Sequence, residues 1–263
     1  MFTEPFITIA RSVDVFMLIL ARMLGMFFIA PVFGRNSIPP AVKIGLSILF
    51  SYILLPAQFF QLNEELTTMK LSYLVVKELT IGLGLGFVAQ VFFGIFLTAG
   101  AIMDLNIGFS MSRLYDPQTG SQVTVTSKLL DLFAYLVFFA VDGHHFLIKA
   151  LLNSYLVLPI GSDFVVTDSY LRFFTKLITY LFTSAVTVGM PILISIFMAN
   201  LLLAFMAKIM PQMNVFIVGM PLKIFLGFII LSVSLPFMTR LFKEIFYRMF
   251  QYIYLFTNMI KGL

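Results

Sequence analysis

Cysteine and tryptophan are absent from the 263 residues, histidine occurs only twice, and charged residues make up 11%. Without cysteine there can be no disulfide, thiolate metal site or cysteine nucleophile, and redox compartment is left unread. Charge at under half of the globular norm of about 25% leaves too few polar side chains to cover a water-soluble fold of this length. An ordinary soluble domain, a disordered chain and a nucleic-acid-binding module are excluded on that ground. The missing tryptophan also carries information, because lipid-facing helices usually anchor at the interface through Trp and Tyr. Only ten Tyr are available for that task, so many apolar faces are expected to meet protein rather than lipid headgroups.

What is present is apolar. Hydrophobic residues reach 60%, with 32 Phe and 16 Met, and the mean hydropathy is +1.03. Crossing about 30 Å of hydrocarbon takes about 20 helical residues. Six stretches reach that length: Val13–Phe33, Ala41–Phe60, Leu79–Met103, Leu129–Leu158, Leu177–Ala207 and Met213–Met238. The expected class is all-α, a polytopic helical membrane protein with about six long apolar segments. A subunit buried among partners that replace lipid would read the same way. The formal charge of +5 sits mostly between or after the apolar runs, as the positive-inside bias requires, and six crossings with that bias predict cytoplasmic termini. Glu4 and Asp14 spoil the basic start of a cleaved signal peptide, and Phe2 stands where myristoylation needs glycine.

Several runs are irregular. Asp142-Gly143-His144-His145 divides Leu129–Leu158 into two pieces too short to cross singly, which predicts a broken helix, a hairpin or a re-entrant pair. Leu177–Ala207 is longer than a bilayer needs and contains Pro191, and Pro221 interrupts the sixth run. Backbone groups freed at such breaks need protein or water, so these helices are expected to face the interior of an assembly. Thr239–Leu263 is amphipathic, with Phe242, Ile245, Phe246, Met249, Phe250 and Ile253 at helical spacing. It is expected to continue the last helix or to lie at a membrane surface.

The polar and small residues give few chemical signals. Gly82, Gly84 and Gly86 form a G-x-G-x-G run, but inside an apolar helix and without the strand a dinucleotide site requires. Gly82, Gly86 and Gly94 recur at four-residue spacing with Gln90 between, a pattern for close helix packing. Asp142, His144 and His145 match no zinc spacing, and a polar turn between half-helices explains them better than a metal site. No catalytic constellation is found, and no cofactor is implied. Arg22 lies mid-span, and Lys149 and Lys223 lie within apolar runs. A charge there costs about 3 kcal/mol or more unless it is paired or hydrated, so Arg22 is expected to pair across helices or with carbonyls. Such a charge serves either an interhelical bond or a pathway. Asp104–Lys128 is the longest polar stretch, a surface connector or a loop packed into an aqueous passage. Met206, Met210 and Met213 fall at i, i+4 and i+7. That spacing suits a core stripe or a deformable seal.

Blocks along the chain resemble a known family. They are Ala21-Arg22-Met23-Leu24-Gly25 leading to Ala30-Pro31-Val32-Phe33-Gly34, then Ile38-Pro39 and Ile44-Gly45. Next come Asp104-Leu105-Asn106-Ile107-Gly108-Phe109 with Asp116-Pro117-Gln118-Thr119-Gly120. Last are Met210-Pro211-Gln212-Met213-Asn214, Val218-Gly219 and Pro221-Leu222-Lys223. In this order they resemble the FliR family, export-gate subunits of flagellar type III secretion. The resemblance implies one integral membrane export-gate domain over residues 1–263, joined to FliP-like and FliQ-like subunits, with FlhB-like and FlhA-like export components nearby. The place implied is the bacterial inner membrane, at the flagellar basal body. It also implies a pore plug formed by Phe109, Ser110, Met111, Ser112, Arg113, Leu114, Tyr115, Asp116, Pro117, Gln118, Thr119 and Gly120, and a pore seal at Met206 and Met210. The family's Gly-His turn usually follows a small polar residue; here Asp142 precedes it and a second histidine follows. The expected function is a channel for unfolded export substrates, not an enzyme. The alternatives are the equivalent subunit of a virulence injectisome, or a small-solute secondary transporter suggested by the Pro-broken helices and intramembrane charges.

Overall fold

A computed structural model describes residues 3–35, 37–55, 67–109, 125–161, 169–212 and 214–260. Among these residues there are seven helices and no strand. In chain order they are α1 (Thr3–Ile29), α2 (Pro40–Leu54), α3 (Thr68–Ile107), α4 (Val125–Ala140), α5 (Gly143–Val157), α6 (Ser169–Ile209) and α7 (Val215–Ile260).

The all-α class agrees with the apolar pattern, but the count of six spans does not. Among the described residues three helices are long and apolar enough to cross a membrane: α3, α6 and most of α7. The second run gives a helix of 15 residues that stops two positions before Pro56. The fourth gives helices of 16 and 15 residues separated by Val141 and Asp142. Cytoplasmic termini, which rested on six crossings, therefore lose their footing. These three helices are instead too long. At about 1.5 Å per residue, 40 or more residues rise about 60 Å, twice the hydrocarbon thickness. Much of each must be covered by something other than acyl chains.

Proline does not break these rods. Pro191 lies inside α6, and Pro221 and Pro236 lie inside α7. Many hydroxyl side chains are absorbed by their own helices, as an apolar setting favours. Ser47 Oγ donates to the Lys43 carbonyl at 2.8 Å, Thr183 Oγ1 to Thr179 at 2.8 Å, and Ser195 Oγ to Pro191 at 2.8 Å. The amphipathic C-terminal stretch continues α7 without interruption through Ile260, and Phe242, Phe246, Met249 and Ile253 are all buried.

By internal packing the chain divides into two compact units. The first comprises Met1–Val91, Asp142–Leu177 and Arg248–Leu263; the second comprises Phe92–Val141 and Ile178–Tyr247. The first is stitched by close backbone approach of α1 and α3. A Cβ on Gly82 would collide with the Arg22 carbonyl, and one on Gly25 with the Leu79 carbonyl. Elsewhere in that unit the Phe256 ring lies against Gly84, and Phe146 stacks on Phe250 at 3.7 Å. The second unit is built on aromatic rings. Phe93 and Phe96 of α3, Phe138 of α4, and Phe242 and Phe246 of α7 interlock with centroid separations of 4.3–5.5 Å. Their tilted and edge-on geometry is the favourable one for quadrupolar rings. Removing these five large apolar side chains from water contributes to the stability of this unit.

Candidate functional site

The described residues that flank the segment marked as a plug by the resemblance, up to Phe109 and from Val125, lie in the second unit. Of the segment's residues Phe109 is described, while Ser110–Gly120 lie outside the described residues. The expected loop, Asp104–Lys128, is narrower than the sequence suggested. Helix α3 runs through Asp104 to Ile107, and α4 already begins at Val125. Asp104 can stay in the helix because its carboxylate has partners. It is fully buried, accepting a hydrogen bond from the Thr126 backbone N–H at 3.2 Å and another from the Thr126 hydroxyl. A carboxylate on the Thr126 N–H, in the first turn of α4, also meets the positive end of that helix. Beside it, Ser127 Oγ donates to the Leu97 carbonyl at 2.9 Å, and a Cβ on Gly100 would collide with the Ser127 backbone.

The exit from α3 is equally specific. Gly108 has φ +104°, a left-handed conformation that favours glycine, and its N–H closes on the Asp104 carbonyl at 3.0 Å. That turn delivers the Phe109 ring edge-on to Phe228 of α7, 5.5 Å between centroids. Asp104, Gly108 and Phe109 therefore fix the end of α3, and the Asp104–Thr126 bonds fix the start of α4 beside it.

Arg22 occupies a junction in the first unit. It is fully buried on α1. Its Nε donates to Glu78 Oε2 of α3 at 2.6 Å, Nη1 to Ser154 Oγ of α5 at 3.1 Å, and Nη2 to the Leu158 carbonyl at 3.1 Å. The guanidinium also sits 4.2 Å over the Tyr155 ring, whose hydroxyl donates to the Ile19 carbonyl at 3.0 Å. The planar fork thus joins three helices, a task for which lysine has no equivalent geometry. Glu78 is itself fully buried, and its Oε1 has no hydrogen-bond partner among the described residues.

The other charges are not in such settings. Lys149 of α5 is exposed and Lys223 of α7 half-buried. The three glycines read from the sequence as one packing face do not share one partner. Gly82 and Gly86 face α1, at Arg22 and at Met26 with Ala30, whereas Gly94 has only the Leu181 side chain of α6 in reach, 3.5 Å from an ideal Cβ. Met206 lies in the last turn of α6 and Met210 just beyond it, both roughly half exposed. Met213, the third of that spacing, lies outside the described residues.

Asp142 is the break between α4 and α5, with φ +55°. The structure brings its carboxylate together with His144 and His145, the three donor atoms lying within 4.8 Å of one another. Sequence reasoning missed Glu78, Ser154, Tyr155, Thr126 and Gly25. A second buried charge in an apolar helix, Glu78, was the one signal that could have found the partner of Arg22.

A family model described as "Bacterial export proteins, family 1" matches residues 13–249. The chain belongs to that family. Relatives of this bacterial export family include the Flagellar biosynthetic protein FliR of Escherichia coli (strain K12), 29% identical over 86% of this chain and 88% of its own length. The Bacillus subtilis (strain 168) protein of the same name is 29% identical over 88% and 90%. The Yop proteins translocation protein T of Yersinia pestis is 30% identical over 82% and 83%. Arg22, Glu78, Asp104 and the Asp142 turn all fall inside the stretch that defines the bacterial export family.

Proposed function

We propose that this chain is a structural, channel-forming subunit of the flagellar type III protein export gate in the bacterial inner membrane, at the basal body. The observation that carries the reading is the family match over residues 13–249, with flagellar FliR proteins aligned over nearly their whole length. The role is conduction and sealing rather than catalysis. Unfolded flagellar substrates pass through a pore shared with FliP-like and FliQ-like subunits, with FlhB-like and FlhA-like components at the entrance. In this reading the whole chain acts as one export-gate domain.

Two features support it. Helices about twice as long as a bilayer requires carry apolar side chains such as Leu202, Phe205 and Ile209, each more than 60% exposed on this chain alone. Neighbouring subunits of the gate cover them. The segment Phe109–Gly120 serves as the plug, with the Asp104–Thr126 bond and the Gly108 turn holding its ends. Met206 and Met210 serve as a conforming seal, since thioether side chains adapt to irregular partners at little cost.

Deleting Phe109–Gly120 from an assembled gate should raise ion leakage while FliP-like and FliQ-like subunits still co-purify. Unchanged conductance in an intact complex would remove the plug assignment. A virulence injectisome is the second reading, favoured by the 30% identity to the Yersinia pestis protein. Restoring motility to a strain lacking its own FliR supports flagellar use; restoring only injectisome secretion supports the other.

A further inference from the structure

This polypeptide has two histidines and no cysteine, so its whole stock of imidazole and thiolate donors sits at one turn. The turn is built by Asp142. With φ +55° it is the one non-glycine residue of positive φ among the described residues, and its carbonyl accepts the Phe146 N–H at 3.1 Å. It stands at the N-terminal boundary of α5, where an aspartate ordinarily accepts hydrogen bonds from the first helical N–H groups. Here its carboxylate makes no such bond. It turns instead to the imidazoles, with Oδ1 lying 3.5 Å from His145 Nδ1. The His144 and His145 rings lie close and tilted, 4.1 Å between centroids and 36° between planes.

We propose that Asp142, His144 and His145 form a binding site for a divalent late first-row transition metal of the Zn2+ class. Donors about 2.0–2.2 Å from a tetrahedral zinc stand about 3.4 Å from one another. The Asp142–His145 separation already meets that figure, and the full set lies within 4.8 Å. Asp142 and His145 are mostly exposed, so rotation of these two side chains toward the half-buried His144 closes the remainder. Two imidazoles and one carboxylate select against Mg2+ and Ca2+, which take six or more oxygen donors. Three protein ligands leave a coordination position for water or for a donor from a neighbouring subunit. Once bound, the metal ties the residue on which the helix breaks to the first turn of α5.

The test uses the assembled gate, purified through a tag without histidine and stripped by chelation, then titrated with Zn2+ calorimetrically. One Zn2+ per copy of this chain is expected, weakened at least about tenfold by His145→Ala and by Asp142→Asn. Both side chains are exposed on this chain, and each variant gate is titrated only once its subunit composition matches that of wild type. Co2+ should give the strong visible bands of a four-coordinate site in the wild-type gate and lose them in His145→Ala. In the unmutated complex, Zn2+ should also protect both histidines from acylation by diethyl pyrocarbonate, read by mass spectrometry. Binding that neither substitution alters, equal affinity for Mg2+, absence of histidine protection, or no saturable binding below about 1 mM each overturns the site.

Discussion

Replacing Arg22 by methionine removes the centre of the three-helix junction while keeping an unbranched side chain in a fully buried place. Three hydrogen bonds, at 2.6, 3.1 and 3.1 Å, disappear with the guanidinium. The larger effect lies in what remains. Glu78 is fully buried, and its Oε1 already lacks a partner among the described residues, so its carboxylate would lose the guanidinium that pairs with it at hydrogen-bond distance. Removing one member of a buried ion pair costs about 3–5 kcal/mol, or roughly two to three and a half powers of ten in the folded ratio. A detergent thermal-stability scan of the purified complex should register this as a clear fall in midpoint or a loss of yield. The companion is Arg22→Met with Glu78→Met. Replacing both members of a buried pair by apolar groups is often neutral or stabilising, so the double variant should recover most of the loss. Arg22→Lys should fall between, keeping the charge without the fork. The reasoning fails if Arg22→Met lies within about 1 kcal/mol of wild type, below the usual range for a buried pair, or if the double variant is worse than either single one.

Alanine at the three glycines should rank by what the new Cβ meets. Gly82→Ala, against the Arg22 backbone, should cost about 1–3 kcal/mol. Gly86→Ala should cost less, and Gly94→Ala should be tolerated, the order being read from melting midpoints of the three complexes. If the proposed plug is right, Asp104→Ala and Gly108→Ala should each raise ion leakage through a gate of normal composition, because one removes the bond that holds the start of α4 and the other strains the turn after α3. Equal conductance to wild type in both would separate the anchors from the seal. Since native cysteine is absent, single cysteines at Leu202, Phe205 and Ile209 should alkylate in the isolated chain and be protected in the assembled gate. Persistent labelling there would place those faces toward lipid or water.

Much of the helical character could be read directly, because apolar runs this long leave few alternatives to helix. The break at Asp142 was equally visible, since Asp-Gly-His-His cannot continue an apolar rod unnoticed. Span counting failed for a physical reason. Hydropathy registers removal from water and is blind to whether lipid or protein provides the cover. The edges of the central loop were misplaced because Asp104 looks like loop chemistry in isolation, while in the fold its carboxylate is satisfied by Thr126 across 22 positions. Glu78 was overlooked for a related reason. A lone acid in an apolar run gains its meaning from a guanidinium 56 residues away, and no local pattern records that distance.

The Arg22 fork also limits how a conduit made from this chain can widen. A helix that slips past its neighbour by one turn moves about 5.4 Å, well beyond the reach of bonds of 2.6–3.1 Å. Sliding α1 against α3 or α5 would strand two charges in a dry interior. Dilation during passage of a substrate must therefore be taken up elsewhere, and α1, α3 and α5 behave at that point as a fixed frame against which softer parts can yield.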